Sequence, residues 1–164
     1  MDKKEVQARV LKNGKPLDLD LFSWDEKTNT FSSDEYSLVL DFSDILDCTF
    51  KTGSGCTFKT GSGCTFDTSW SCTFNTSWSC TFKTDESCTF DTGENCTFDT
   101  GETCVVVRRD IYEVIELDGT KKIKLNSYEV KGYTIIDNKE SKKSLSGKEV
   151  TVIVDRVSYT AVIK

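Results

Sequence analysis

"CTFKTGSGCTFKTGSGCTFDTSWSCTFNTSWSC", Cys48 to Cys80, states nearly the same eight residues four times over. The period continues to Cys104, so that Cys48, Cys56, Cys64, Cys72, Cys80, Cys88, Cys96 and Cys104 hold all eight cysteines of the chain. Two places after each of the first seven stands a phenylalanine: Phe50, Phe58, Phe66, Phe74, Phe82, Phe90 and Phe98. A fixed period marks a stacked array in which each unit buries its apolar face against its neighbours. Within "CTFxT" the character alternates with period two, which puts Cys and Phe on one face of a strand. The three residues that follow (GSG, SWS, DES, GEN, GET) are turn formers. A helix is excluded, since a period of eight drifts around a 3.6-residue turn and the octads are rich in Thr and Gly. The fold class is therefore all-β: a two-sided β-solenoid, or β-helix, with small β flanks.

Eight residues cannot close around a core containing Phe, and the residue after each Phe decides between two and three octads per coil. In order it reads Lys51, Lys59, Asp67, Asn75, Lys83, Asp91, Asp99. With two octads per coil one outer column becomes Lys51–Asp67–Lys83–Asp99, and stacking at about 4.8 Å then sets opposite charges side by side. With three octads Lys59 would lie on Lys83 and Asp67 on Asp91. Two octads, sixteen residues per coil, is the expectation. In such a coil Phe faces Phe, while each Cys faces the second Thr of the opposite octad. Neighbouring thiols up a column point in parallel at the strand spacing, beyond the Cβ separation a disulfide needs. Free, packed thiols are expected.

The register extends outward. "LDFSD" places Leu40 at the Cys position and Phe42 at the Phe position, and "CVVVR" puts Val106 where Phe belongs. This predicts nine rungs over 40–108, four and a half coils about 20 Å tall. An N-terminal β cap over 1–39 and a C-terminal small β-domain over 109–164 flank it. Asn13-Gly14 and Asp118-Gly119 mark hairpin turns, and "EVTVIVDRVSYTAVIK" reads as two strands around Asp155-Arg156. "DEKTNTFSSDE" reads as polar loop, and no helix is expected.

Charge and composition narrow the function. The net charge of −6 divides into −5 over residues 1–47 (6 basic, 11 acidic), −4 over 48–104 (3 and 7) and +3 over 105–164 (12 and 9). Phosphate binding needs a Lys/Arg footprint, so no nucleic-acid partner is expected of the repeat. No apolar run reaches membrane-spanning length, and "MDKKEVQARVLKNG" is not a secretory leader, so a cytoplasmic setting is expected. With no His, Ser-His-Asp chemistry and His-ligated metals are excluded. No phosphate-loop motif and no C-x₂-C pair occurs. We expect no enzyme activity, no cofactor and no metal.

Trp70 and Trp78 replace small turn residues in successive octads and are expected at opposite corners of one coil. They are candidate contacts for a protein partner; packing against a flank, or drift, is the plainer reading. Outward threonines form two columns, Thr49–Thr65–Thr81–Thr97 and Thr57–Thr73–Thr89. An ice-binding face would want two such columns side by side, and here each neighbours a charged column. It remains a minor alternative.

The run of "CTFKTG" and "CTFDTG" octads, with "CVVVRRDIYEVIEL" and "KKIKLNSYEVKGY" after it, resembles an octapeptide-repeat group of tailed phages and phage-derived bacterial loci. The resemblance spans Cys48–Tyr133 and implies a β-solenoid with no assigned activity. A looser likeness is to pentapeptide-repeat solenoids, some of which are acidic DNA mimics that bind topoisomerases. Two function classes follow: a non-enzymatic structural or interaction module, docking a protein or a second copy through its flanks, and an acidic DNA mimic.

Overall fold

The computed structural model describes residues 1–138, 149–154 and 157–162. Helix α1 (Lys3–Gln7) precedes β1 (Val10–Lys12) and β2 (Lys15–Pro16); a 3-10 turn at Leu19–Leu21 leads to β3 (Ser23–Asp25). Ten rungs follow: β4 (Thr30–Ser33), β5 (Leu38–Phe42), β6 (Thr49–Thr52), β7 (Thr57–Thr60), β8 (Thr65–Thr68), β9 (Thr73–Asn75), β10 (Thr81–Lys83), β11 (Thr89–Thr92), β12 (Thr97–Asp99) and β13 (Cys104–Arg108). The chain continues through β14 (Glu113–Leu117), β15 (Lys121–Leu125), β16 (Tyr133–Asn138), β17 (Glu149–Val154) and β18 (Val157–Val162).

The odd rungs β5 to β13 form one sheet and the even rungs β4 to β12 the other, each strand parallel to the next. Partners such as Thr49↔Thr65, Phe50↔Phe66 and Thr57↔Thr73 differ by sixteen residues. The coil is thus two octads, and ten rungs make five coils.

The core is a double file of rings. All seven repeat phenylalanines are fully buried. Within a file, rings one coil apart stack nearly parallel, as Phe58 on Phe74 (4.9 Å, 3°) and Phe66 on Phe82 (5.0 Å, 6°). Across the coil they meet edge to face, as Phe66 with Phe74 (5.1 Å, 73°). Both arrangements suit the ring quadrupole. The eight cysteines, also buried and free, flank the rings. Cys56, Cys64, Cys88 and Cys96 interact with the second Thr of the preceding octad (Thr52, Thr60, Thr84, Thr92), as the facing geometry requires.

Each turn ends on a residue in the left-handed region: Gly55 (φ 67), Gly63 (φ 73), then Ser71, Ser79, Ser87, Asn95 and Thr103 at φ 56 to 60. Glycine is unstrained there, whereas Thr103 is β-branched and resists it. Corner hydrogen bonds hold the conformation. Gly55 N–H donates to Trp70 O (3.0 Å), Ser71 N–H to Glu86 O (3.1 Å) and Ser87 N–H to Glu102 O (3.0 Å), coil upon coil.

Several features differ from the sequence reading. The first rung is Thr30–Ser33, inside the stretch read as loop, with Phe31 paired to Phe50. In β5, Leu40 takes the Phe position and pairs with Phe58, while Phe42 lies opposite Thr60. The eight-residue step from Phe42 to Phe50 misleads because the turn after β5, Ser43–Asp47, is two residues longer than the repeat turns. Phe42 packs instead between Phe50 (5.1 Å) and Trp24 (6.3 Å), filling the end of the core. A helix is present: Asp2 accepts from Lys4 N–H (2.8 Å) and Glu5 N–H (2.9 Å), and Glu5 accepts from Asp2 N–H (2.7 Å), a capping box.

Asn13-Gly14 does close a hairpin, β1 against β2, with both residues at positive φ. Asp118-Gly119 does not. β14 pairs with β13 in one sheet and β15 with β12 in the other, so this turn crosses the end of the solenoid. Gly119 rests on the corner below, where a Cβ would come within 2.7 Å of the Gly101 carbonyl carbon. β15 also pairs with β16. β17 and β18 form a separate two-stranded sheet, with Val154 opposite Val157.

Candidate functional site

The outer face repeats the inner periodicity. Lys51, Asp67, Lys83 and Asp99 are register partners in one column, with Lys83 Nζ 3.3 Å from Asp67 Oδ1. On the opposite sheet the column reads Asp41, Lys59, Asn75, Asp91. There Arg109 reaches back over the coil: its Nε lies 2.9 Å from Asp91 Oδ1, and its guanidinium also donates to Asn75 Oδ1 (3.3 Å) and Thr76 O. Acid and base alternate along the first column, and Lys59 and Asn75 separate Asp41 from Asp91 along the second, so neither column is a continuous acidic row.

A groove of about 700 Å³ follows the first column, lined by Ser33, Lys51, Asp67, Thr68, Lys83 and Asp85 among others. It is open, with Lys83 paired to Asp67 and Asp85 accepting from Ser69 along the strands' stacking direction. The Thr49–Thr65–Thr81–Thr97 column stands beside it, and the Thr57–Thr73–Thr89 column lies on the opposite sheet. Each is flanked by its charged column, not by a second line of threonines.

The thiols face inward and bond backbone. Sγ of Cys80 contacts the Gly61 and Trp78 carbonyls (3.6 and 3.7 Å), and Sγ of Cys88 those of Ser69 and Glu86 (both 3.6 Å). The N–H groups of Cys72, Cys80 and Cys88 donate to the sulfur one coil on, at 3.3 to 3.4 Å. Hydrogen bonding between stacked thiols moves the partners in opposite directions: with burial it pushes Cys48, Cys80 and Cys104 up from their ordinary value, and against burial it draws Cys56, Cys64 and Cys96 down. Such thiols pack and cap the turn carbonyls; they do not present a nucleophile to solvent. No group of three or more His, Cys, Asp or Glu suited to a metal occurs among the described residues.

Trp70 and Trp78 sit at opposite corners of one coil and are both 54% exposed. Their surroundings differ. Ser69 Oγ donates to Asp85 Oδ2 (3.0 Å) beside Trp70. Beside Trp78 the equivalent residue is Gly93, and a cleft of about 470 Å³ opens between Trp78, Glu94, Arg109, Asp110 and Tyr128.

Sequence reasoning missed Arg108, which takes a buried Thr position opposite Thr92 and is wholly buried. Its guanidinium pairs with Asp110, lies 3.8 Å from Glu113, and donates to Val130 O (2.7 Å) and Ser127 O (3.3 Å). That cluster fixes the Ser127–Val130 loop, and with it Tyr128, against the last coil. The two flanks also end differently. The outermost N-terminal strands are β2, two residues including Pro16, and β3, three residues. The outermost C-terminal strands are β14 and β16, of five and six residues. Val114, Tyr133, Ile135 and Ile136 are exposed on them.

Comparison with known proteins finds no matching family model, no significantly similar curated protein and no significantly similar solved structure.

Proposed function

We propose that the chain is a non-catalytic structural and protein-interaction module: a stiff β-solenoid that engages a partner, a second copy first among them, through its C-terminal end. The contrast between the two ends carries the reading. Short edge strands and a proline blunt the N-terminal end, as proteins do where strand pairing is unwanted. The C-terminal end keeps a six-residue edge strand, β16, with Tyr133, Ile135 and Ile136 exposed, a surface suited to strand addition. The resemblance to phage octapeptide-repeat proteins supports a place in a phage or phage-derived assembly.

An acidic DNA mimic is the second reading, favoured by the net charge of −6 and opposed by the alternating columns. Sedimentation velocity over a wide concentration range tests the first reading. Reversible dimers that Ile135→Lys abolishes are expected. A chain that stays monomeric, and that inhibits DNA supercoiling by a topoisomerase at micromolar concentration, would replace it with the second.

A further inference from the structure

The geometry points to a binding site for an arginine or lysine side chain of a partner protein, in the cleft between Trp78, Glu94 and Tyr128 at one corner of the solenoid. This deepens the interaction-module reading by naming the chemistry of one contact. Three features build the site. Gly93 lines it against the base of Trp78, where a Cβ would stand 3.4 Å from Trp78 Cβ, so no side chain from this corner occupies the space. Trp78 and Tyr128 wall it with exposed rings, 54% and 60% accessible. Both walls are held in place: Trp78 O accepts from Gly63 N–H (3.1 Å), and the Tyr128 loop hangs from the buried Arg108 through Ser127 O and Val130 O.

The charges in the cleft decide what fills it. Arg109 is engaged by Asp91, Asn75 and Thr76, and Asp110 by Arg108. Glu94, half-buried, has no ion pair or side-chain hydrogen bond among the described residues. An unpaired carboxylate beside two aromatic faces attracts a cation through both Coulomb and quadrupole terms, and a guanidinium lies flat on an indole better than an ammonium does. A neutral sugar would gain the stacking but leave the carboxylate without its partner. Trp70 supplies an internal control. It has the same "TSWS" sequence, the same exposure and a glutamate one coil on, Glu86, but Asp85 bonded to Ser69 stands where Trp78 has Gly93, and Tyr128 lines the cleft at Trp78.

Three indole N–H resonances report the outcome. Trp24 Nε1 donates to Met1 O (2.8 Å) and serves as the reference, Trp70 as the control and Trp78 as the probe. Titrating the full chain with a capped arginine dipeptide should shift the Trp78 signal saturably and leave the other two in place. The citrulline dipeptide should shift it several-fold less, as should the arginine dipeptide at high salt or with Glu94→Gln. Unmoved Trp24 and Trp70 signals in Glu94→Gln show that the fold is kept. Equal shifts at Trp70 and Trp78, equal response to citrulline, or no shift at all would overturn the site. A Trp78 shift on raising protein concentration without peptide would assign the cleft to a second copy instead. Sedimentation reads the C-terminal edge and this titration reads the corner, so the two proposals fail separately.

Discussion

The central coils and the C-terminal cap close the same two sheets by opposite means. In the coils the inward polar groups are small, and most are locally bonded, Thr68 Oγ1 being an exception: thiols cap turn carbonyls, and Thr92 Oγ1 donates to Gly93 O at 3.2 Å. Cohesion there comes from apolar rings that repeat without variation. In the cap, Val106 ends the ring file and the next inward position is Arg108, a full charge buried with Asp110 and Glu113. A repeating core can grow indefinitely, so the file of rings needs a side chain that ends it, even where the strand edges beyond stay open to pairing. A buried guanidinium tied to a returning loop supplies that, at the cost of desolvating an ion cluster.

Four perturbations would break or sharpen this contrast. Deleting one octad, residues 64–71, should have the largest effect, because it sends every later strand to the opposite sheet and misplaces the cap. Deleting residues 64–79 removes one whole coil and should preserve a cooperative melt at a much higher temperature than the single-octad deletion. Equal losses for both would contradict the two-octad coil. Next, Phe74→Ala should destabilise by about 3–5 kcal/mol, a buried ring deleted from a stack that cannot collapse. Arg108→Met should cost about 3 kcal/mol, since Asp110 would keep its charge in place without a partner. Urea midpoints measure both; hydrogen exchange separates them, with Arg108→Met loosening β14 and the Ser127–Val130 loop before the coils. An Arg108→Met protein with unchanged exchange in β14 would show that the cap is held by its apolar pairs alone. Smallest is Lys83→Ala: its contact with Asp67 is largely exposed, and a change beyond about 1 kcal/mol in the urea midpoint would assign the columns more stability than surface pairs supply.

The parts of the molecule that repeat were legible, because repetition multiplies weak signals. One Lys beside one Asp says little, whereas Lys51–Asp67–Lys83–Asp99 selects the coil size. The parts that end the repeat were not, because each device occurs once. Leu40 and Phe42 were assigned two places out of register, since an apolar residue eight before Phe50 outweighed an unseen longer turn. Asp2 and Glu5 did carry the capping-box spacing, the one readable sign of α1, but five helical residues leave no periodicity to support it. Arg108 looked like an ordinary surface charge. Only the register that sets it opposite the buried Thr92 shows where it points. The cleft at Trp78 was half visible: both tryptophans stood out, but Tyr128, fifty residues on, reaches the same corner only through the chain reversal at the cap.

The alternating column also constrains how such a gene can change length. Tandem DNA repeats gain and lose copies by slippage, and the protein tolerates such steps unequally. An odd number of octads exchanges the two sheets. A single coil keeps the sheets but sets lysine on lysine or aspartate on aspartate along Lys51–Asp67–Lys83–Asp99. Only a pair of coils, four octads at once, restores the alternation along that column, so it works as a parity check on heredity written in side-chain charge.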